Sequence, residues 1–201
     1  KLTDDLNVDV TGFYNRRFDN VSSPGERVQN DDGSVTTYRE ANKGLGRAYG
    51  LEVMLRHEVT KNFFGWLAYT LSRAEGRVSG SGQPYVVNAQ DQTHILTLVG
   101  SYRLPWGFEL GARFRYVTGV PKSPLLHTFD LYNADSNGYN STRGAARSAR
   151  VRDFHQLDVR VDKRLPFDRW MLNAYLDVQN VYFRQNPEFT HYSYDYSEHQ
   201  Y

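Results

Sequence analysis

A catalytic or metal site would be built from histidine, aspartate, glutamate and serine, and here those residues are scattered. The six histidines, His57, His94, His127, His155, His191 and His199, show neither an HxH nor an HExxH spacing. Ser and Asp are so common in the polar stretches that a chance triad carries no information. The lack of Cys removes thiolate zinc sites and cysteine nucleophiles. The segment Asn133-Ala134-Asp135-Ser136-Asn137-Gly138 copies the first half of a calcium loop, but the twelfth position is Gly144, where a bidentate Glu is required. It reads as a turn-rich loop. No catalytic residue, no metal site and no cofactor is expected, and the chain is read as not an enzyme.

Two other groups of residues suit binding. The stretch from Phe189 to Tyr201 alternates aromatic and polar residues, and His191, Tyr192, Tyr194, Tyr196 and His199 are its candidate ligand contacts. Rings there could stack on a ligand and hydroxyls could hydrogen-bond it. The competing reading is an extended strand whose aromatics pack on neighbouring loops. The second group is a mixed-sign set, Glu52, Arg56, Arg113, Arg115, Asp158, Arg160, Asp162 and Asp177, expected to line an inner wall. These residues would line a wet lumen packed against polar protein, or form a salt-bridge ladder that holds strand register.

The elements that must position these residues are strands. From Gln156 to Arg164, Leu157, Val159 and Val161 alternate with Gln156, Asp158, Arg160, Asp162 and Arg164, and period two means a strand. Segments 108–118 and 170–179 repeat the design, and the same rule predicts strands at about 5–18, 46–58, 63–75 and 93–104. Links at 59–62, 105–107 and 166–169 are short, while those at about 19–45, 76–92 and 119–153 are long and polar. Short turns at one end and long loops at the other characterise an outer-membrane barrel and have no reason to arise in a soluble sandwich. Aromatics gather near the strand ends, at Phe63, Phe64, Tyr102, Trp106, Phe167 and Trp170 on the short-turn side and at Tyr14, Tyr49, Tyr69, Tyr116 and Tyr182 farther along. Two interfacial girdles are the expectation.

The bulk numbers are compatible with this. Mean hydropathy is −0.67, and no window approaches the roughly 20 apolar residues of a membrane helix. A membrane strand needs only about 9–11 residues with every second one apolar, so a barrel is hydrophilic on average. With 24 Lys+Arg against 23 Asp+Glu there is no electrostatic case for a nucleic-acid partner.

Several segments resemble the C-terminal barrel region of TonB-dependent outer-membrane receptors: Gly50-Leu51-Glu52-Val53, Gly65 to Arg73, Asp91-Gln92-Thr93-His94-Ile95-Leu96, Leu110 to Pro121, Phe154 to Lys163 and Leu176 to Tyr182. Their order spans nearly the whole chain. The resemblance implies an all-β fold, the antiparallel transmembrane portion of a barrel of about 22 strands, with residues 1–201 as the C-terminal segment of one barrel domain. The plug, the earlier strands and the final strand are expected to lie outside these residues, in the same polypeptide or in a separate chain. It further implies a bacterial outer-membrane location and import of a scarce ligand such as a siderophore-iron complex, cobalamin or an oligosaccharide. The implied partners are outer-membrane lipid, the plug, and the TonB system through that plug. A porin-like, structural or assembly barrel without active transport is the alternative.

Overall fold

In the computed structural model the described residues are 4–22, 26–29, 35–38, 41–78, 84–126, 132–135, 137–139, 142–186, 190–194, 196 and 199–200. Seven long strands dominate: β1 (Leu6–Ser22), β2 (Ala41–His57), β3 (Phe63–Val78), β4 (His94–Arg103), β5 (Phe108–Val117), β6 (Phe154–Pro166) and β7 (Met171–Val178). Each pairs antiparallel with the next, so the sheet is a simple meander in chain order. Among the described residues β1 and β7 do not pair with each other, and the sheet is open. All seven expected strands are present. In the tight turn between β4 and β5, Trp106 and Gly107 take φ of 60° and 76°, and a Cβ on Gly107 would sit 2.7 Å from the Arg164 carbonyl oxygen.

Alternation divides the sheet into two unlike faces. Leu98, Leu110, Ala112, Phe114, Leu157, Val159, Val161, Leu172, Ala174 and Leu176 share one side by register. Arg113, Asp158, Arg160 and Asp162 share the other and border a concavity of about 440 Å³. The apolar side is uncovered: Leu98, Leu110 and Leu172 are 42–46% exposed and Leu176 is 66% exposed. Among the described residues the buried hydrophobic side chains are Val117 and Val151 alone. A soluble sandwich would bury this face against a second sheet. Among the described residues no second layer covers it, which is what the transmembrane-barrel expectation requires.

Rings bracket the apolar side. Phe63, Tyr102 and Phe108 occupy its short-turn end beside the stacked pair Phe167 and Trp170, whose rings are 4.0 Å apart. Tyr14, Tyr49, Tyr69 and Tyr116 occupy the other end. Phe108 to Tyr116 is nine residues, at the lower end of the about 9–11 that a tilted strand needs to cross the hydrocarbon. Phe64, expected in the lower girdle, points to the charged side and borders its concavity. Lys163 departs from the pattern on the apolar side. It lies across from Phe108 at the short-turn end, with its ammonium 4.2 Å from that ring and donating to the Trp106 carbonyl. Its long stem carries the charge along the apolar side to the polar turn at the strand end.

β1 and β2 are longer than expected, because past Arg17 the register shifts twice and the period-two alternation is lost, with Phe18 and Val21 both exposed, while pairing continues through Asn20 with Gly44 and Ser22 with Ala41. The long link after β1 carries a small hairpin, Glu26–Gln29 with Val35–Tyr38, and the link after β5 carries short pairs such as Pro121–Lys122 with Ala149–Arg150.

Candidate functional site

β5 and β6 build most of the charged wall. Their register sets Arg113 across from Asp158 and Gly111 across from Arg160. Arg113 grips Asp158 with Nε at 3.0 Å and Nη2 at 2.7 Å. The second Asp158 oxygen accepts from Gln156 at 2.7 Å and from the Asn180 amide at 2.9 Å. Arg160 forks onto Asp162 at 2.8 and 2.9 Å, with its guanidinium 3.9 Å from the Tyr175 ring. Glu109 joins Ser101 at 2.6 Å, Arg164 at 2.8 Å and Arg103 at 3.8 Å. Arg113 with Asp158 and Arg164 with Glu109 are hydrogen-bonded ion pairs across β5 and β6 that the observed register brings together, while Arg160 with Asp162 is a pair along one strand. Asp177 lies opposite Arg160 and borders the same concavity.

The remaining predicted wall residues are on the same face but apart from this cluster. Arg115 lies opposite Gln156, with its guanidinium 5.5 Å from the Phe154 ring. Glu52 and Arg56 are on β2, where Arg56 sits 3.6 Å from Glu58 and Glu52 is exposed between Thr11 and Thr70. The candidate wall is therefore one paired cluster on β4 to β7 with outlying charges beside it.

The aromatic candidates are held by the 119–153 loop. The Tyr192 hydroxyl accepts from the Leu125 amide at 3.3 Å, and Lys122 Nζ donates to Thr190 at 2.6 Å. Tyr196 tilts against Tyr192 at 6.2 Å. Tyr194 sits edge-on to Tyr139 at 5.8 Å and donates to the Asn137 carbonyl, yet stays 67% exposed. His191 is exposed and its backbone pairs with Gln200, as Tyr192 pairs with His199. The side chain of His199 lies outside what the structure describes. The candidate calcium segment is a hairpin, Tyr132–Asn133 against Gly138–Tyr139, in which the Asn133 side chain accepts from the Asp135 amide at 2.9 Å. That is turn chemistry.

Sequence reasoning missed the residues that fix the loops to the sheet. Asp91, 2% exposed, accepts from the Ala74 amide at 2.7 Å, Thr93 at 3.1 Å and Arg150 Nη2 at 2.6 Å. Arg150 Nη1 adds bonds to the Asp91 and Gly119 carbonyls at 3.0 and 2.8 Å. Next to it, Asp153 accepts from Tyr116 at 2.6 Å and the Gly119 amide at 2.9 Å. Gly119 is pressed so close that a Cβ would stand 1.8 Å from the Val151 carbonyl oxygen. Burial alone would raise both carboxyls, but their donors prevail and hold them below the usual aspartate range: Arg150, Ala74 and Thr93 for Asp91, and Tyr116 and Gly119 for Asp153. Asp91 was visible within a recognisable segment. Its partner 59 residues on had no signal at all.

The family model described as TonB dependent receptor-like, beta-barrel matches residues 1–181. No curated protein and no solved structure matches this chain.

Proposed function

Because this chain belongs to the TonB-dependent receptor β-barrel family, we propose that it forms part of the wall of an energy-coupled outer-membrane importer. The observation that carries this reading is the pairing of that family match with a sheet that leaves its apolar face uncovered and lines its concave face with paired charge. β1 and β7 would continue into further strands, since unpaired backbone edges in hydrocarbon cost several kcal/mol per group. The charged face would look inward on a plug that couples to TonB. The loops pinned by Asp91, Arg150 and Asp153 would form the extracellular mouth, with the exposed ring of Tyr194 and the exposed His191 as ligand contacts.

The barrel does no chemistry on its cargo in this reading. It supplies a vestibule, a rigid wall and a fixed set of loops, and the cargo is a scarce small molecule or oligosaccharide. The test is uptake by cells carrying or lacking the full-length gene, with radiolabelled ferric chelates, cobalamin and oligosaccharides as probes. One of them should accumulate only with the gene, and accumulation should stop when the proton-motive force is dissipated. Gene-dependent uptake that persists without the proton-motive force would favour a passive pore. No gene-dependent uptake of any probe would count against import.

A further inference from the structure

Past the upper tyrosine band, the apolar side of β1 to β3 becomes cationic. The register sets Arg16 across from Arg47, Arg47 across from Glu75, Tyr49 across from Arg73 and Leu45 across from Arg77. By alternation Arg16, Arg47, Arg73 and Arg77 therefore share a side with Val10, Leu51 and Leu71. Glu75 is buried and accepts from Arg47 Nε and Arg73 Nε, each at 2.8 Å, which aims two guanidiniums from one carboxylate. The Tyr85 ring lies 4.2 Å from the Arg47 guanidinium and 4.6 Å from that of Arg77. Tyr14 stacks on Tyr49 at 6.4 Å directly below. Among the described residues, no ion pair other than those to Glu75 reaches these four arginines.

From this we propose that the outer side of β1 to β3 is a binding surface for the phosphorylated headgroups of outer-leaflet lipid. The inference rests on the membrane-spanning reading above. Guanidinium forks match phosphate oxygens bidentately, and several held together favour a multiply charged anion. The order along each strand selects a lipid over a free anion. On β2 it runs Arg47, Tyr49, Leu51, Val53, and on β3 Arg73, Leu71, Tyr69, Leu67: cation, then ring and aliphatic surface on one side. An occupant complementary to that order is anionic at the head and apolar below it.

The experiment uses the full-length receptor in phosphatidylcholine nanodiscs, titrated with diphosphorylated lipid A or its dephosphorylated counterpart and read by native mass spectrometry. Arg16→Gln combined with Arg77→Gln removes two charges without stranding Glu75. It should weaken lipid A binding roughly tenfold and leave the dephosphorylated lipid unaffected. Lys61→Gln with Arg169→Gln, in the short turns at the other end, should match the wild type. Equal binding of the two lipids, or a double-arginine variant that binds lipid A like the wild type, would overturn the inference and leave the membrane reading standing. A receptor that remains soluble and does not enter the bilayer would overturn both.

Discussion

Arg150 ties two other segments to its own through one guanidinium: Asp91 and Thr93 before β4, and Gly119 after β5. Replacing it with Ala leaves Asp91 buried without its cation, a change that typically costs about 3–5 kcal/mol. The expected result of Arg150→Ala is faster hydrogen exchange at the Ala74 and Thr118 amides, with the amides of β6 unchanged. The same residues set a pH limit. Because Asp91 and Asp153 have carboxyls depressed by folding, their contribution is complete above the unfolded aspartate value of about 3.9 and is lost as pH falls through the lower folded values. Protease cleavage within 119–153 should therefore stay constant from pH 7 to about pH 4 and rise only below that.

β6 shows what a sequence reveals about an element and what it withholds. The alternation from Gln156 to Arg164 specified both the strand and its two faces, since period two leaves no third arrangement. It did not reveal that Asp158 would meet Arg113, 45 residues away, because that contact depends on the register with β5. Phe64 was misplaced for a related reason: neighbouring rings at a strand end occupy opposite faces, and aromatic content alone does not separate them. Lys163 shows that a charge on the apolar side is tolerated where its stem can reach the interface. Hence Val159→Arg, near mid-strand, should destabilise the barrel by about 2–4 kcal/mol in urea-dependent unfolding from liposomes. Arg160→Ala should cost about 1 kcal/mol, because Asp162 keeps its Asn173 contact at 3.3 Å.

At the scale of the molecule, the sheet has, among the described residues, two open edges, an uncovered apolar side and almost no buried hydrophobic residue. Residues 1–201 expressed by themselves should therefore be recovered from aggregates and not as a detergent-free monomer. The central claim is that the Val159 side of the sheet meets lipid and the Asp158 side meets water. Because this chain has no Cys, nitroxide labels can be placed singly at 156 through 162 in an otherwise cysteine-free full-length receptor in liposomes. Spin relaxation by oxygen, which concentrates in hydrocarbon, should peak at 157, 159 and 161, and relaxation by a water-soluble nickel chelate should peak at 156, 158, 160 and 162. The opposite phase, or seven positions equally accessible to nickel, would contradict the account.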